Sequence, residues 1–431
     1  MEQLKSADRR VDKERLWVFA PVYLVVSKAE VEGDISIDQL REAIKTAVSA
    51  HELLQQKIIL DEEWNAYYNP CEPFPFVIEE YDGDWREVVY AQEKIPYAIE
   101  KGEFIRFFLK KIPNGVSIMF VTHHLAGDGT SYAYLLQDIL RAATGENLEY
   151  KPLHLFSVDS LPKESQLTFL MRMLMKNMNR KWNKTKRQFT FEEAKNLHQS
   201  YWENHSSVIE EEVIDGEIYD TILQNVKAHD VTVNSVITTA LIRAAEELSD
   251  VGHAASIREK GYTGMGNFAT GISTKYQYNE NLSFWENAKN VQKLLYEKLQ
   301  SPAKKYFLLQ FMGQIEPTLI DAIYFAACSD YSNATAITFA KMFGYAENPK
   351  GISITNLTRL PIAEDYGKFK MTDYTFVPPL VLNSQRIIGV ASFGHRMNIA
   401  LHLNKDQSVE MHRAFFHKGM EYLRQLASEG E

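Results

Sequence analysis

The sequence predicts a layered α+β protein of the α/β class, and three observations carry that expectation. The chain has 431 residues, 45% of them apolar, enough for two packed units or one large bilobed one. Strand-like and helix-like segments are interleaved without strict βαβ alternation, which favours α+β layers over a doubly wound sheet. The clearest unit is a buried strand that runs into a loop and then a helix, over residues 115–145.

The elements follow in order. Residues 16–32 read as a strand closed by Gly33 and Asp34. Ser36 and Gln39 suggest a capping box, and Leu40, Ala43, Ile44, Ala47 and Val48 then form one apolar helix face. His51 falls at that helix's end, where a cation is favourable. Residues 57–80 read as short strands, broken at Asp61–Glu63 and at Asn69–Pro73, with another apolar piece over Phe74–Ile78. A helix over 84–100 and a strand over 103–111 lead to Gly115–Thr122. That segment is apolar, contains β-branched residues and is bounded by Pro113 and Asn114, so it reads as a buried strand. After it, Leu135, Leu136, Ile139, Leu140 and Ala143 fall at helical spacing, and Gly145 is a natural stop.

Between strand and helix stand His123, His124, Asp128 and Gly129, in the pattern His-His-x-x-x-Asp-Gly. Rigid elements on both sides can aim a side chain from there. Imidazole titrates near neutrality, so it can take a proton from an attacking hydroxyl or amine and pass it to a leaving group. Asp128 reads as a helix N-cap or first-turn acid. The plain alternative for the two histidines is a satisfied structural pair. Adjacent strand residues point to opposite faces, so the two would not easily hold one metal, and no zinc-like spacing surrounds them.

This pattern resembles the superfamily of CoA-dependent and carrier-protein-dependent acyltransferases. That group includes chloramphenicol acetyltransferase, the condensation domains of nonribosomal peptide synthetases, the plant HxxxDG acyltransferases, and bacterial alcohol and polyketide-associated acyltransferases. The resemblance implies two similar lobes meeting in a V, with the active-site tunnel between them. It implies His124 as general base and Asp128 as a structural partner of an arginine from the other half. It also implies direct transfer from acyl-CoA or a phosphopantetheinyl acyl carrier protein to a small alcohol or amine, with no metal and no permanently bound cofactor. The sequence has no Gly-x-Ser-x-Gly elbow, which fits a direct mechanism. Two departures stand out. Gln55 occupies the place of an arginine in condensation-type relatives, and Asp365-Tyr366-Gly367-Lys368 replaces the plant DFGW motif.

The expected division is an N-terminal lobe over 1–160, a basic crossover over 161–205 and a C-terminal lobe over 206–431. Residues 150–162 read as irregular. Residues 166–188 read as a helix with Leu167, Leu170, Met171, Leu174, Met175 and Met178 on one face. It also carries Arg172, Lys176, Arg180, Lys181, Lys184, Lys186 and Arg187, and no acid interrupts it. A solvated crossover, a phosphate contact and a peripheral membrane contact are its competing readings. A strand at 206–215 opens the second half, followed by a helix over 230–248 that Asn234 could cap. There Thr232, Val233, Asn234, Ser235 and Val236 resemble the start of the family's second lobe. In the next stretch Arg258, Gly266 and Asn267 resemble its strand arginine and Gly-Asn pair. The resemblance makes Arg258 the partner of Asp128, expected in a bidentate pair. Helices are expected over 283–299 and 305–328.

Residues 350–359 alternate as a strand, with Ser353 and Thr355 on one face and Asn356 on the other. By resemblance, Ser353, Thr355, Asn356 and Asn267 are the candidates for oxyanion or tunnel contacts. Strands and a hairpin follow over 369–404, turning near Gly394, then a helix over 409–426. His395 and His402 read as structural.

A net charge of −10 argues against nucleic-acid binding. Cys71 and Cys328 are the two cysteines, so no disulfide framework is expected. Residues 1–15 are too charged for a signal peptide, and no run approaches 18 apolar residues. A soluble, monomeric, cytoplasmic protein is the simplest expectation. Two other functions fit the same residues: a free-standing condensation domain joining carrier-bound substrates, and a non-catalytic binding module on the same scaffold. The intact His124, Asp128 and Gly129 argue against the second.

Overall fold

The computed structural model describes residues 9–71, 76–345, 351–405 and 408–428. The strands are β1 (Leu24–Gly33), β2 (Gln56–Leu60), β3 (Ala66–Pro70), β4 (Ile78–Glu80), β5 (Ile105–Ile112), β6 (Gly115–His123), β7 (Ser207–Asp215), β8 (Ser249–Ser256), β9 (Ala269–Tyr276), β10 (Ile352–Arg359), β11 (Phe369–Val377), β12 (Ile387–Phe393) and β13 (Arg396–Asn404). They form a five-stranded sheet in the order β11-β1-β6-β5-β4, a six-stranded sheet in the order β7-β13-β12-β10-β8-β9, and the pair β2-β3. The protein is a mixed α/β molecule with two lobes.

The first sheet centres on β1 and β6. Every β6 residue from Val116 to His123 is buried, because helices cover one face and the protein interior the other. A strand buried on both faces loses the polar alternation of a surface strand. The helices Ile37–Ala50 and Gly129–Ala143 supply much of that cover, with Leu40, Ile44, Ala47, Leu135, Leu136 and Ile139 fully buried. Each of these leucine and isoleucine side chains is worth about 1.5–3 kcal/mol on burial.

The second sheet is mixed. β10 runs parallel to β8 and β12, while β12-β13 is a hairpin turning at Gly394. The helices Val233–Ala245 and Val409–Gln425 pack on it, with Leu241, Phe416, Met420 and Leu423 fully buried.

β11 departs from sequence order. It leaves the second half of the chain and pairs antiparallel with β1, Val26 opposite Val377. The helices Phe307–Met312, Pro317–Cys328 and Ala334–Met342 likewise pack into the first lobe's apolar core. One link is a buried ion pair in which Arg15 Nε donates to Asp321 Oδ1 at 2.8 Å, Nη2 also contacts Oδ2, and both side chains are buried.

Several local expectations need correction. Residues 16–23 are not strand. Arg15–Val18 is one helical turn, and the chain stays irregular to Tyr23, because the Arg15 side chain must reach Asp321 and Pro21 interrupts any ladder. Thr232, not Asn234, caps the helix Val233–Ala245, accepting the Ser235 amide at 3.2 Å. The helix over 84–100 ends at Glu93, and the one over 305–328 is broken into pieces. The apolar piece Phe74–Ile78 lies partly outside the described residues.

Candidate active site

The motif loop is held from below by the sheet. His123, the last residue of β6, pairs with Leu24 of β1, and its Nδ1 accepts the Leu125 amide at 3.2 Å. That bond turns the chain into the single turn His124–Ala126. The His124 amide donates to the Tyr23 carbonyl at 3.0 Å. Its imidazole is half-buried and lies flat on Trp17, 4.2 Å between ring centroids and 8° from parallel. Nδ1 is sealed from solvent, and no other described residue hydrogen-bonds it. Burial pushes the His124 pKa down to about 4. Its own backbone carbonyl and Asp128 pull the other way, and Lys13 lowers it further. The ring is therefore neutral at pH 7.

Asp128 holds the loop from above. It caps the helix Gly129–Ala143, Oδ1 accepting the Ser131 amide at 2.8 Å. The same oxygen accepts Arg258 Nη2 at 2.9 Å, while Oδ2 accepts the Phe268 amide at 2.8 Å. The pair is therefore single-pronged rather than bidentate, because a backbone amide has taken the second oxygen. Arg258 also lies two residues beyond β8 rather than on it. Its Nη1 donates to the Gly264 carbonyl at 2.9 Å, and its guanidinium lies 4.5 Å over the Phe268 ring. The Asp128 amide and the Ser131 hydroxyl both donate to the Gly266 carbonyl, at 3.2 and 2.6 Å. Gly129 admits no side chain, since a Cβ there would stand 2.6 Å from Leu357 and 2.8 Å from Phe376.

The remaining candidates are placed less centrally. Ser353 and Thr355 are partly exposed on β10, and no hydrogen bond among the described residues joins either to the motif. Asn356 is engaged locally: its Oδ1 accepts the Thr358 amide at 2.7 Å, and its Nδ2 lies 3.4 Å from Asn234 Oδ1. β10 meets the motif through Leu357 instead. Asn267 adjoins Phe268, its Oδ1 accepting the Ala269 amide at 3.3 Å. His395 bonds Asp220, and His402 lies between the Pro378 carbonyl and Glu93.

Sequence reasoning missed the N-terminal segment. The Lys13 ammonium is buried and donates to the carbonyls of Asn267 and Ala269, the latter at 3.4 Å. It stands 3.6 Å from the Glu14 carboxylate. Burial lowers the Lys13 pKa and raises that of Glu14. Lys13, Glu14 and Trp17 thus reach His124 and the second lobe's turn, the first two from a stretch read only as too charged for a signal peptide and the third from the expected strand over 16–32. Leu16 and Trp17 are the N-terminal segment's one sequence hint of burial.

Behind the motif lies a cavity of about 210 Å³, lined among others by His123, Tyr23, Tyr97, His198 and Lys101. His124 is not in its lining. His123 is buried and stacked on Tyr23 at 4.0 Å, and burial holds its pKa well below the usual range. Among the described residues no group of three His, Cys, Asp or Glu side chains could hold a metal ion. No described helix is long and apolar enough to cross a membrane.

No protein-family model matches the chain, and no curated protein matches its sequence. Solved structures do match in shape. The trichothecene 15-O-acetyltransferase TRI3 from Fusarium sporotrichioides is similar with a TM-score of 0.66 at 11% identity, over 97% of this chain and 94% of that one. The condensation domain of the monacolin K polyketide synthase MokA is similar with a TM-score of 0.63 at 14% identity, over 97% of both chains. The chain has the condensation-domain fold. An epimerization domain from tyrocidine synthetase B shares that fold, with a TM-score of 0.61 at 13% identity over 97% of this chain and 93% of that one. The condensation-domain fold therefore hosts more than one chemistry, and the reaction has to be argued from the site.

Proposed function

We propose that the protein is an acyltransferase that moves an acyl group from a thioester to a hydroxyl or amine, with His124 as general base. The observation that carries this reading is the His124 ring: neutral at pH 7, stacked flat on Trp17, with Nδ1 sealed while the residue as a whole is only half-buried. We assign the ring proton to Nδ1, toward the residue's own carbonyl, which leaves the Nε2 lone pair for the acceptor. The acceptor loses its proton to Nε2 as its oxygen or nitrogen attacks the thioester carbonyl carbon. The tetrahedral intermediate then expels the thiolate, which takes the proton back from Nε2. No acyl-enzyme forms. Asp128 and Arg258 are positioning residues, because their contacts fix the loop and touch no reacting atom. Ser353, Thr355, Asn356 and Asn267 stand as candidates for the oxyanion contact.

The donor is acyl-CoA or an acyl carrier protein. The likeness to a polyketide-synthase condensation domain supports the second reading, in which two carrier-bound substrates are joined as an amide or ester. The test is thiol release from a panel of acyl-CoAs with alcohol and amine acceptors, wild type against His124→Ala. Acceptor-dependent release that falls by about two to four orders of magnitude in the variant is the expected result. Release unchanged in the variant would remove His124 as the base. No release from CoA but transfer from loaded carriers would assign the donor to a carrier protein. Failure with both donors would leave a binding module.

A further inference from the structure

The helix Phe169–Asn183 has two unlike sides. Met175, Met178 and Trp182 are its buried residues. They dock it on the turn before Pro317, where Asn179 donates to the Gln314 carbonyl at 2.7 Å and Trp182 Nε1 donates to Glu316 at 2.9 Å and to Thr318 at 3.0 Å. Its first two turns face outward. Phe169, Leu170, Met173 and Leu174 are 67%, 76%, 55% and 49% exposed. Scattered exposed apolar residues are ordinary, but four on adjoining turns form a patch. The helix Phe307–Met312 also exposes Phe307 and Leu308, and its Gln310 donates to Ser165, four residues before Phe169, at 2.9 Å.

Charge follows the same side. At about 100° per residue, the four apolar side chains occupy one arc turned away from Met175, Met178 and Trp182. Arg180, Lys181 and Lys184 fall within that arc further along, and Arg172 and Lys176 lie just beyond one edge of it. All five cations are exposed and have no carboxylate partner among the described residues, whereas Lys186 pairs with Glu316 and Arg187 with Glu193. No acidic residue occurs from Ser165 to Phe191, in a chain of net charge −10.

We propose that this helix is a peripheral membrane contact that lies on an anionic bilayer surface. Its apolar first turns enter the acyl boundary, and its cationic second half lies against lipid phosphates. Long lysine and arginine stems suit that arrangement, because they keep the charge at headgroup level while the backbone sits lower. The four exposed apolar side chains stand on the outward side of the helix, and the cavity that borders the helix meets it at Arg172, off their arc. A deformable lipid surface fits such a face more readily than a rigid protein partner does. The inference is independent of the acyl-transfer reading, since no catalytic residue takes part.

The test is co-sedimentation of the full chain with vesicles of phosphatidylcholine alone or mixed equally with phosphatidylglycerol. Wild type and His124→Ala are expected to bind the mixed vesicles about tenfold better, and to release at high salt as screening shortens the reach of the charges. The double variants Leu170→Ser/Leu174→Ser and Arg180→Glu/Lys181→Glu alter only exposed side chains, and each should lose about tenfold in binding. Absence of binding to the mixed vesicles, or binding unchanged in both variants, would overturn the proposal. Binding that needs the cations but not Leu170 and Leu174 would also overturn it, and would point to an acidic protein partner instead.

Discussion

Trp17 fixes the plane of the His124 ring, and a general base works only when its lone pair meets the acceptor's proton. Replacing the indole by a smaller apolar group frees the imidazole to tilt. Trp17→Leu should lower kcat by about 10- to 100-fold with KM little changed, a split that steady-state kinetics reads directly. The depressed pKa of His124 adds a second expectation. With a pKa of about 4 His124 is already deprotonated at pH 6, so on the proposed role as base kcat/KM should stay level from pH 6 to 8 and bend down only toward 4. An unperturbed histidine would bend it near 6.5.

Stability has its own pH dependence. His124 and His412 are lowered to about 4 and His198 to about 3, in each case chiefly by burial. Between pH 6.5 and those values the unfolded chain binds protons that the folded chain refuses. The stability they contribute is therefore present above 6.5 and lost as the pH falls toward 4. Urea midpoints measured from pH 7.5 to 4.5 should decline accordingly, and a flat series would contradict the burial of these rings. Sequence reasoning reached His124 and Asp128 because their types and spacing are unusual. It could not reach Lys13 or Glu14, because burial of a charged side chain depends on partners distant in sequence.

Each strand and helix around the motif was legible where burial is complete or periodicity is long. β5, β6 and the helix Gly129–Ala143 emerge within a residue or two of their expected bounds, because apolar runs and a 3.6-residue period state the environment directly. The failures have local causes. Tyr306, Gly313 and Pro317 divide what reads as one helix over 305–328 into three, and tertiary anchoring of Arg15 overrides the strand propensity of residues 16–23. At the junction of loop and helix, Asp128 performs three tasks: it caps the helix, accepts the Phe268 amide and neutralises buried Arg258. Asp128→Ala would orphan all three at once. A loss of about 3–5 kcal/mol is expected, visible as an earlier denaturation midpoint, together with reduced activity. Asp128→Asn should recover part of the stability, since an amide still caps and still accepts.

At the scale of the molecule, the two lobes are not two separable pieces of chain. β11 completes the first sheet beside β1, and helices from 307–342 complete the first core. A fragment ending at residue 205 would leave β1 as a bare edge and a large apolar surface uncovered. Expressed alone, that fragment should be insoluble, and co-expression with residues 206–431 should restore a soluble complex. Soluble, cooperatively unfolding lobes from separate expression would contradict this. The exchange was not legible in the sequence, because the period of β11 says that it is a strand but not which sheet it joins.

The Arg15–Asp321 pair also sets an order of events in time. Its two residues are 306 positions apart. A ribosome adding about 5–20 residues per second needs roughly 15–60 seconds to make the second after the first. Through that interval Trp17 cannot be locked beside His124 by this anchor, however early the neighbouring strands have paired. The motif loop is therefore expected to be among the last parts of the newborn chain to settle. Nascent chains stalled before residue 321 should expose residues 9–18 to protease, and chains released at full length should protect them.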